Sequence, residues 1–223
     1  MEWIKKFDLF LFDFDGLLVN TEEMHYQAYK QMMLQYGVTL KWDFTRYCQA
    51  AHYEATLLRD QIAAEYPELL AQEPSWEVLY KEKQRLVLKL IVEGKAHLMP
   101  GVEKLLKALE EANIARAVVT HSPQALIELV KIQNPPLKTL PDWITREHYS
   151  RPKPDPECYF YAIGKLAQPG ARIIGFEDTP RGLMALSKTA ALPVLIRTTP
   201  YPEIPSFVAQ GAKHFKSLEN VSL

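Results

Sequence analysis

Phe7-Asp8-Leu9-Phe10-Leu11-Phe12-Asp13-Phe14-Asp15-Gly16 is the stretch on which the reading of this chain turns. An apolar run from Phe7 to Phe12 reads as a strand. It breaks at two carboxylates two positions apart, beside a glycine that permits a sharp turn. Like charges that close raise each other's pKa unless a cation or a proton relieves them. Phosphoryl-transfer chemistry uses such a pair: Asp13 to attack, Asp15 to give up and take back a proton, and a hard divalent cation to hold the charge. On this stretch alone a second reading stays open, in which the two side chains only bond amides of their own turn.

Working outward, the pattern after Gly16 is helical for about eighty residues. Asn20 and Glu23 predict the start of a helix running to Tyr36 and stopped by Gly37, with Met24, Ala28, Met32 and Tyr36 as its apolar stripe. A second helix is expected over Glu54–Tyr66, closed by Pro67. A third spans Trp76 to Ile91 with Lys83 as a polar interruption, and Gly94 ends it. From Pro100 strands and helices alternate: helix to Asn113, strand Ile114–Thr120, helix Pro123–Gln133, and a short strand near Trp143. Helix Pro156–Leu166, strand Arg172–Phe176, helix Thr179–Ala191 and strand Pro193–Arg197 follow. This order predicts an α/β fold: a doubly wound parallel sheet of residues 1–20 and 96–223, with an inserted all-α cap of residues 21–95. Ligands of such sheets bind beyond the carboxyl ends of the strands, where the polar candidates fall.

Glu177-Asp178 is a second acidic pair that ends an apolar strand. A Mg²⁺ ion between the two pairs is the economical reading, since oxygen-only ligands suit Mg²⁺ rather than zinc. Asp178 also stands where a helix starting near Pro180 wants its cap, and the two roles are compatible. Thr120-His121-Ser122 opens a helix at Pro123, so a hydroxyl and helix-terminal amides offer a phosphate seat; a Ser122 cap before Pro123 explains part of the same pattern. Arg151-Pro152-Lys153-Pro154-Asp155-Pro156 brackets a lysine with prolines. An extended, rigid backbone is expected there, presenting Lys153 as a point charge.

Together these segments resemble the haloacid-dehalogenase-like hydrolase superfamily, in its helical-cap phosphatase and β-phosphoglucomutase subgroup. Asp13-Phe14-Asp15-Gly16 is similar to its first motif, Val118-Val119-Thr120 to its second, Lys153-Pro154-Asp155-Pro156 to its third and Gly175-Phe176-Glu177-Asp178 to its fourth. The resemblance implies Asp13 as an aspartyl-phosphate nucleophile and Asp15 as acid and base. It implies Mg²⁺ on Asp13, the Asp15 carbonyl and Asp178, with Glu177 nearby, and Gly16, Thr120, His121 and Lys153 on the phosphate side. Thr21 and His25, four apart on one helix face, resemble the mutase pattern toward the cap entrance. Against the mutases, Arg46–Tyr53 has no match to their specificity loop. His121 replaces the more usual Asn or Ser, and Asp15 argues against carbon–halogen cleavage.

Composition limits the alternatives. A chain of 223 residues with net charge −1 predicts no pull toward nucleic acid or membrane surface. The two cysteines, Cys48 and Cys158, are in no paired spacing, and free thiols in a reducing compartment are expected. No apolar stretch approaches membrane-spanning length. The expectation is a cytoplasmic Mg²⁺-dependent phosphatase of a small phosphorylated metabolite, monomeric with a dimer left open; the alternative is a sugar phosphomutase. A receiver-type signalling domain would carry its acidic pair first and its acceptor later. A non-catalytic binding protein on this fold would usually have lost one of the charged groups.

Overall fold

The computed structural model describes residues 1–53 and 56–223. The chain forms two compact units, one of Met1–Asn20 with His97–Leu223 and the other of Thr21–Ala96. In the first, strands β1 (Leu9–Phe12), β2 (Ala115–Val119), β3 (Asp142–Ile144), β4 (Ile173–Glu177), β5 (Leu192–Ile196) and β6 (Lys213–Phe215) pair in the order β3-β2-β1-β4-β5-β6. Every pairing is parallel. The order reverses between β1 and β4, and a crevice opens beyond the strands' carboxyl ends at such a switch point.

β1 is central, and all four of its residues are buried, which is why it reads as an unbroken apolar run. Its side chains alternate between two packed faces. Phe10 and Phe12 stack on Phe176 of β4, with ring centroids 6.2 and 5.2 Å away, and Trp3 closes this layer 5.8 Å from Phe10. Leu9 and Leu11 enter the opposite core with Ala117, Val119, Cys158, Tyr159 and Leu186. The register pairs Leu9 with Ile173 and Leu11 with Gly175. One step further along the same face, the sheet sets Asp13 beside Glu177. Gly175 is needed there, because a Cβ on it would lie 2.5 Å from Leu186 Cδ1.

In the helical unit, α1 (Thr21–Gln35), α2 (Phe44–Ala51), α3 (Leu57–Glu65), α4 (Pro67–Gln72) and α5 (Trp76–Val92) succeed one another. Met24, Ala28 and Met32 are buried as the stripe requires, and Gly37 and Gly94 both take positive φ after their helices. The helix expected over Glu54–Tyr66 is shorter, and Glu54 and Ala55 lie outside the described residues. Pro67 does not only close α3; it opens α4, because proline suits the first helical position. α2 was not expected, and Asp43 caps it by accepting the Arg46 N–H at 2.7 Å. Lys83, the interruption in α5, is buried: it donates to His25 Nδ1 and stands over the rings of Tyr29 and Tyr80.

The flanking helices of the sheet unit are α6 (Val102–Glu111), α7 (Gln124–Gln133), α8 (Glu157–Leu166), α9 (Pro180–Leu186) and α10 (Ile204–Ala209). α9 stops five residues before the expected Ala191, and β6 and α10 extend the fold past the last expected strand. Among the described residues no helix is long and apolar enough to cross a membrane. Both cysteines are free thiols and buried.

At the opposite edge of the sheet Asp8 takes the Arg172 backbone N–H at 2.8 Å and both ends of its guanidinium at 3.0 and 2.8 Å. Arg172 holds the Asp8 carboxyl down at about 2, against an ordinary 3.8. A depressed carboxylate contributes stability above its unfolded pKa and loses it as pH falls through the folded one. Asp8→Asn is therefore expected to lower the thermal midpoint at neutral pH, with the gap closing as pH falls from about 4 toward about 2; melting curves across that range check it.

Candidate active site

The carboxyl edge of the sheet gathers charged and hydroxyl groups from distant parts of the chain. β1 delivers Asp13 and, round the Gly16 turn, Asp15. β2 leads to Thr120 and Ser122, β4 ends in Glu177-Asp178, and Arg197 follows β5. Lys153 arrives on the loop before α8. That loop is not extended as expected: Pro152–Asp155 is a turn closed by the Asp155 N–H on the Pro152 carbonyl at 3.0 Å, with the Lys153–Pro154 peptide cis. A proline third in a tight turn suits that geometry, so the two prolines fold the segment rather than stretch it.

The turn aims Lys153 inward. Its Nζ lies 2.6 Å from Asp13 Oδ1, 2.7 Å from Glu177 Oε1 and 2.9 Å from the Val119 carbonyl, so each ammonium proton has an acceptor. Burial works against this charge, yet Asp13 and Glu177 outweigh it and hold Lys153 well above the ordinary lysine value. Asp13 is the reverse case. Burial pushes its carboxyl up, Lys153 pulls it back down as its ion-pair partner, and the neighbouring Glu177 and Asp15 add to the rise. Tyr159 donates its hydroxyl to Glu177 Oε1 from α8.

The acidic pair fits because two glycines clear space for it. A Cβ on Gly182 would fall 2.0 Å from Glu177 Oε2, and one on Gly16 would fall 2.3 Å from Asp178 Oδ2. The Gly16 N–H, expected on the phosphate side, donates to the Val19 carbonyl at 2.8 Å, so what this residue contributes is room and a φ of 76°. Asp178 does not cap the next helix. Thr179 does, accepting the Gly182 N–H at 3.1 Å. Asp178 instead meets Arg197 Nη1 at 2.9 Å.

Asp15 is held by hydroxyls. Its Oδ2 accepts from Ser122 Oγ at 2.6 Å and from Thr120 Oγ1 at 3.3 Å, and the Ser122 N–H donates back to Thr120 Oγ1 at 3.0 Å. Ser122 makes no cap to α7, whose N-cap position is Pro123 with no side-chain bond. The pattern read as a helix cap is thus a clamp on the second carboxylate, and Thr120 turns its hydroxyl to that clamp.

His121 points elsewhere. Tyr149 donates to the Thr120 carbonyl at 3.0 Å, and His121 Nδ1 lies 3.1 Å from the same phenol oxygen. With the phenol proton committed, the histidine donates from Nδ1. Burial and the positive charges of Arg146, Arg181 and Lys153 lower its pKa below the ordinary 6.5. Thr21 and His25 belong to the helical unit, where Thr21 is buried and His25 accepts from Lys83.

Asp13, Glu177 and Asp178, all buried, each offer a ligand oxygen, and these atoms lie within 4.8 Å of one another. A donor set made only of carboxylates suits a hard divalent cation. Sequence reasoning missed Tyr149, Tyr159 and Arg197 as members of this site, and offered Ser122 a helix cap rather than a bond to Asp15. For Arg197 a signal existed: a lone cation ending an apolar strand, level with the acidic ends of β1 and β4.

Comparison with known proteins agrees with this geometry. Residues 10–195 match the profile of the haloacid dehalogenase-like hydrolases. The chain is 28% identical over 209 residues to protein CbbY of Rhodobacter capsulatus, covering 89% of this chain and 88% of that one. It is 27% identical to the phosphorylated carbohydrates phosphatase of Thermotoga maritima, covering 82% and 81%. The crystal structure of CbbY from Rhodobacter sphaeroides in complex with phosphate superposes with a TM-score of 0.72 at 22% identity, covering 96% of both chains. A match over most of the chain, on a parallel sheet with this strand order, places the protein in the haloacid dehalogenase-like hydrolase family, as an enzyme of its phosphatase kind.

Proposed function

We propose that this phosphatase is Mg²⁺-dependent and hydrolyses a small phosphorylated metabolite, of the phosphorylated-carbohydrate class that its Thermotoga maritima relative is named for. The observation that carries the reading is the division of labour between two carboxylates two residues apart. Asp13 lies against Lys153 and the acidic pair, while Asp15 is turned to the Ser122 and Thr120 hydroxyls. One is dressed to be a nucleophile and the other to move protons.

In the first half-reaction an Asp13 oxygen forms a bond to phosphorus as the ester oxygen leaves. Asp15 gives that oxygen its proton, so the sugar departs as a neutral alcohol. In the second, Asp15 takes a proton from water, which attacks the phosphorus of the aspartyl-phosphate. Phosphate leaves, and Asp13 returns as a carboxylate. Lys153 holds the attacking carboxylate in place and offsets the charge gathering on the phosphoryl oxygens. Asp13, Asp178 and the Asp15 carbonyl would hold the Mg²⁺, with Glu177 behind them on Lys153 and Tyr159; the ion supplies charge neutralisation to the phosphoryl group. The clamp on Asp15 keeps its carboxyl in one orientation through both proton transfers.

Asp13→Asn is expected to cut phosphate release by about four orders of magnitude or more, measured as kcat/KM on phosphorylated sugars. Chelation by EDTA should stop turnover and added Mg²⁺ should restore it; metal-independent turnover would contradict the cation. On a hexose 1-phosphate, free phosphate should accumulate, and isomerised sugar phosphate in its place would identify a mutase. Ser122→Ala removes a 2.6 Å bond to a charged acceptor, typically about 1.5–3 kcal/mol. It should lower kcat roughly tenfold to a hundredfold with KM nearly unchanged, and an unaltered kcat would dismiss the clamp.

A further inference from the structure

Arg197 is a buried guanidinium with a heavily fixed backbone. Its N–H donates to the Phe215 carbonyl at 2.9 Å, its carbonyl accepts from His214 Nε2 at 2.8 Å, and its Nε reaches Thr199 Oγ1 at 3.2 Å. β6 and the segment after β5 therefore hold the side chain so that Nη1 meets Asp178 Oδ2 at 2.9 Å. The Gly16 turn closes over the pair: a Cβ there would sit 2.3 Å from Asp178 Oδ2 and 3.5 Å from Arg197 Nη1. A cation is thus built into the wall of the acidic cluster at Asp178, while Lys153 pairs with Asp13 and Glu177.

Buried like charges repel strongly because little water screens them. Without a divalent ion, Asp13, Glu177 and Asp178 face two buried cations, Lys153 on the first two and Arg197 on the third. With the ion bound, the charge of Arg197 becomes a like charge beside it. We propose that Arg197 is a positioning residue acting through Asp178, a resident counter-charge that keeps the metal-free site folded and thereby limits how tightly the site takes its divalent cation. The inference rests on the cation site argued under the proposed function. It adds that this chain spends part of its affinity for the ion to remain stable without it.

The test uses full-length protein, stripped with EDTA and titrated with Mg²⁺ by calorimetry and thermal melting. Arg197→Gln keeps an amide donor near Asp178 but removes the charge, and Arg197→Lys keeps the charge. Arg197→Gln should bind Mg²⁺ at least about tenfold more tightly than the wild type. Its metal-free melting temperature should fall, and the deficit should shrink as Mg²⁺ saturates. Arg197→Lys should stay within about threefold of the wild-type Kd. An Arg197→Gln protein that folds only with Mg²⁺ present would also support the proposal. Unchanged or weaker Mg²⁺ binding by Arg197→Gln would overturn it, as would insolubility with and without Mg²⁺, which would assign Arg197 to folding alone. Wild-type protein that takes up no Mg²⁺ would remove the cation site itself and this inference with it.

Discussion

Carboxylates crowded into a buried sheet edge are the constraint around which this molecule is arranged. Asp13, Glu177 and Asp178 are all buried, with Asp15 beside them. Such a cluster survives only if cations, hydroxyls and geometry are all supplied for it. The structure supplies each from a separate element. Lys153 comes on a proline turn, Arg197 from the far side of β5, Tyr159 from α8, and the Thr120 and Ser122 hydroxyls from the end of β2. The parallel sheet allows this, because it brings the ends of β1, β2, β4 and β5 to one edge, where Lys153 joins them from the loop before α8.

Space matters as much as charge. Register alone sets Asp13 next to Glu177, since both continue the face on which Leu11 opposes Gly175. That face is tightly packed, and the carboxylates fit only where side chains have been removed. Gly182 makes room for Glu177 in the first turn of α9, and Gly16 for Asp178 and its guanidinium. These glycines act chiefly by what they lack. An alanine at either would drive a methyl group into a carboxylate oxygen.

Much of this was legible in the chain because buried parallel strands write themselves as apolar runs and their polar ends stand out. β1, β2, β4 and β5 could be placed from such runs, and Asp13, Thr120 and Glu177-Asp178 fell at their ends. β6 was not legible: Lys213-His214-Phe215 is three residues long, with the first two exposed, so no apolar pattern marks it. α2 is eight residues whose buried side chains are only Tyr47, Cys48 and Ala50, and its start is written only in the Asp43 cap. Ser122 was misread for a different reason. Before a proline, a serine that caps a helix and a serine that holds a neighbouring carboxylate are the same letter, and only the tertiary placement of Asp15 separates them. The prolines around Lys153 were expected to hold its backbone extended, but they fold it into a turn, which no local rule for extended proline segments would give.

The uneven pairing of cations to carboxylates gives the site a direction. Lys153 is shared by Asp13 and Glu177, whereas Asp178 has a guanidinium from another strand. Moving positive charge toward Asp13 therefore disturbs Asp13 and Glu177 together, while moving it near Asp178 leaves the Lys153 contacts in place. On the proposed mechanism, two separately anchored cations would let the polypeptide set nucleophile reactivity from the loop before α8 and ion affinity from the end of β5. A single bridging lysine or arginine would have tied those two properties to one side chain.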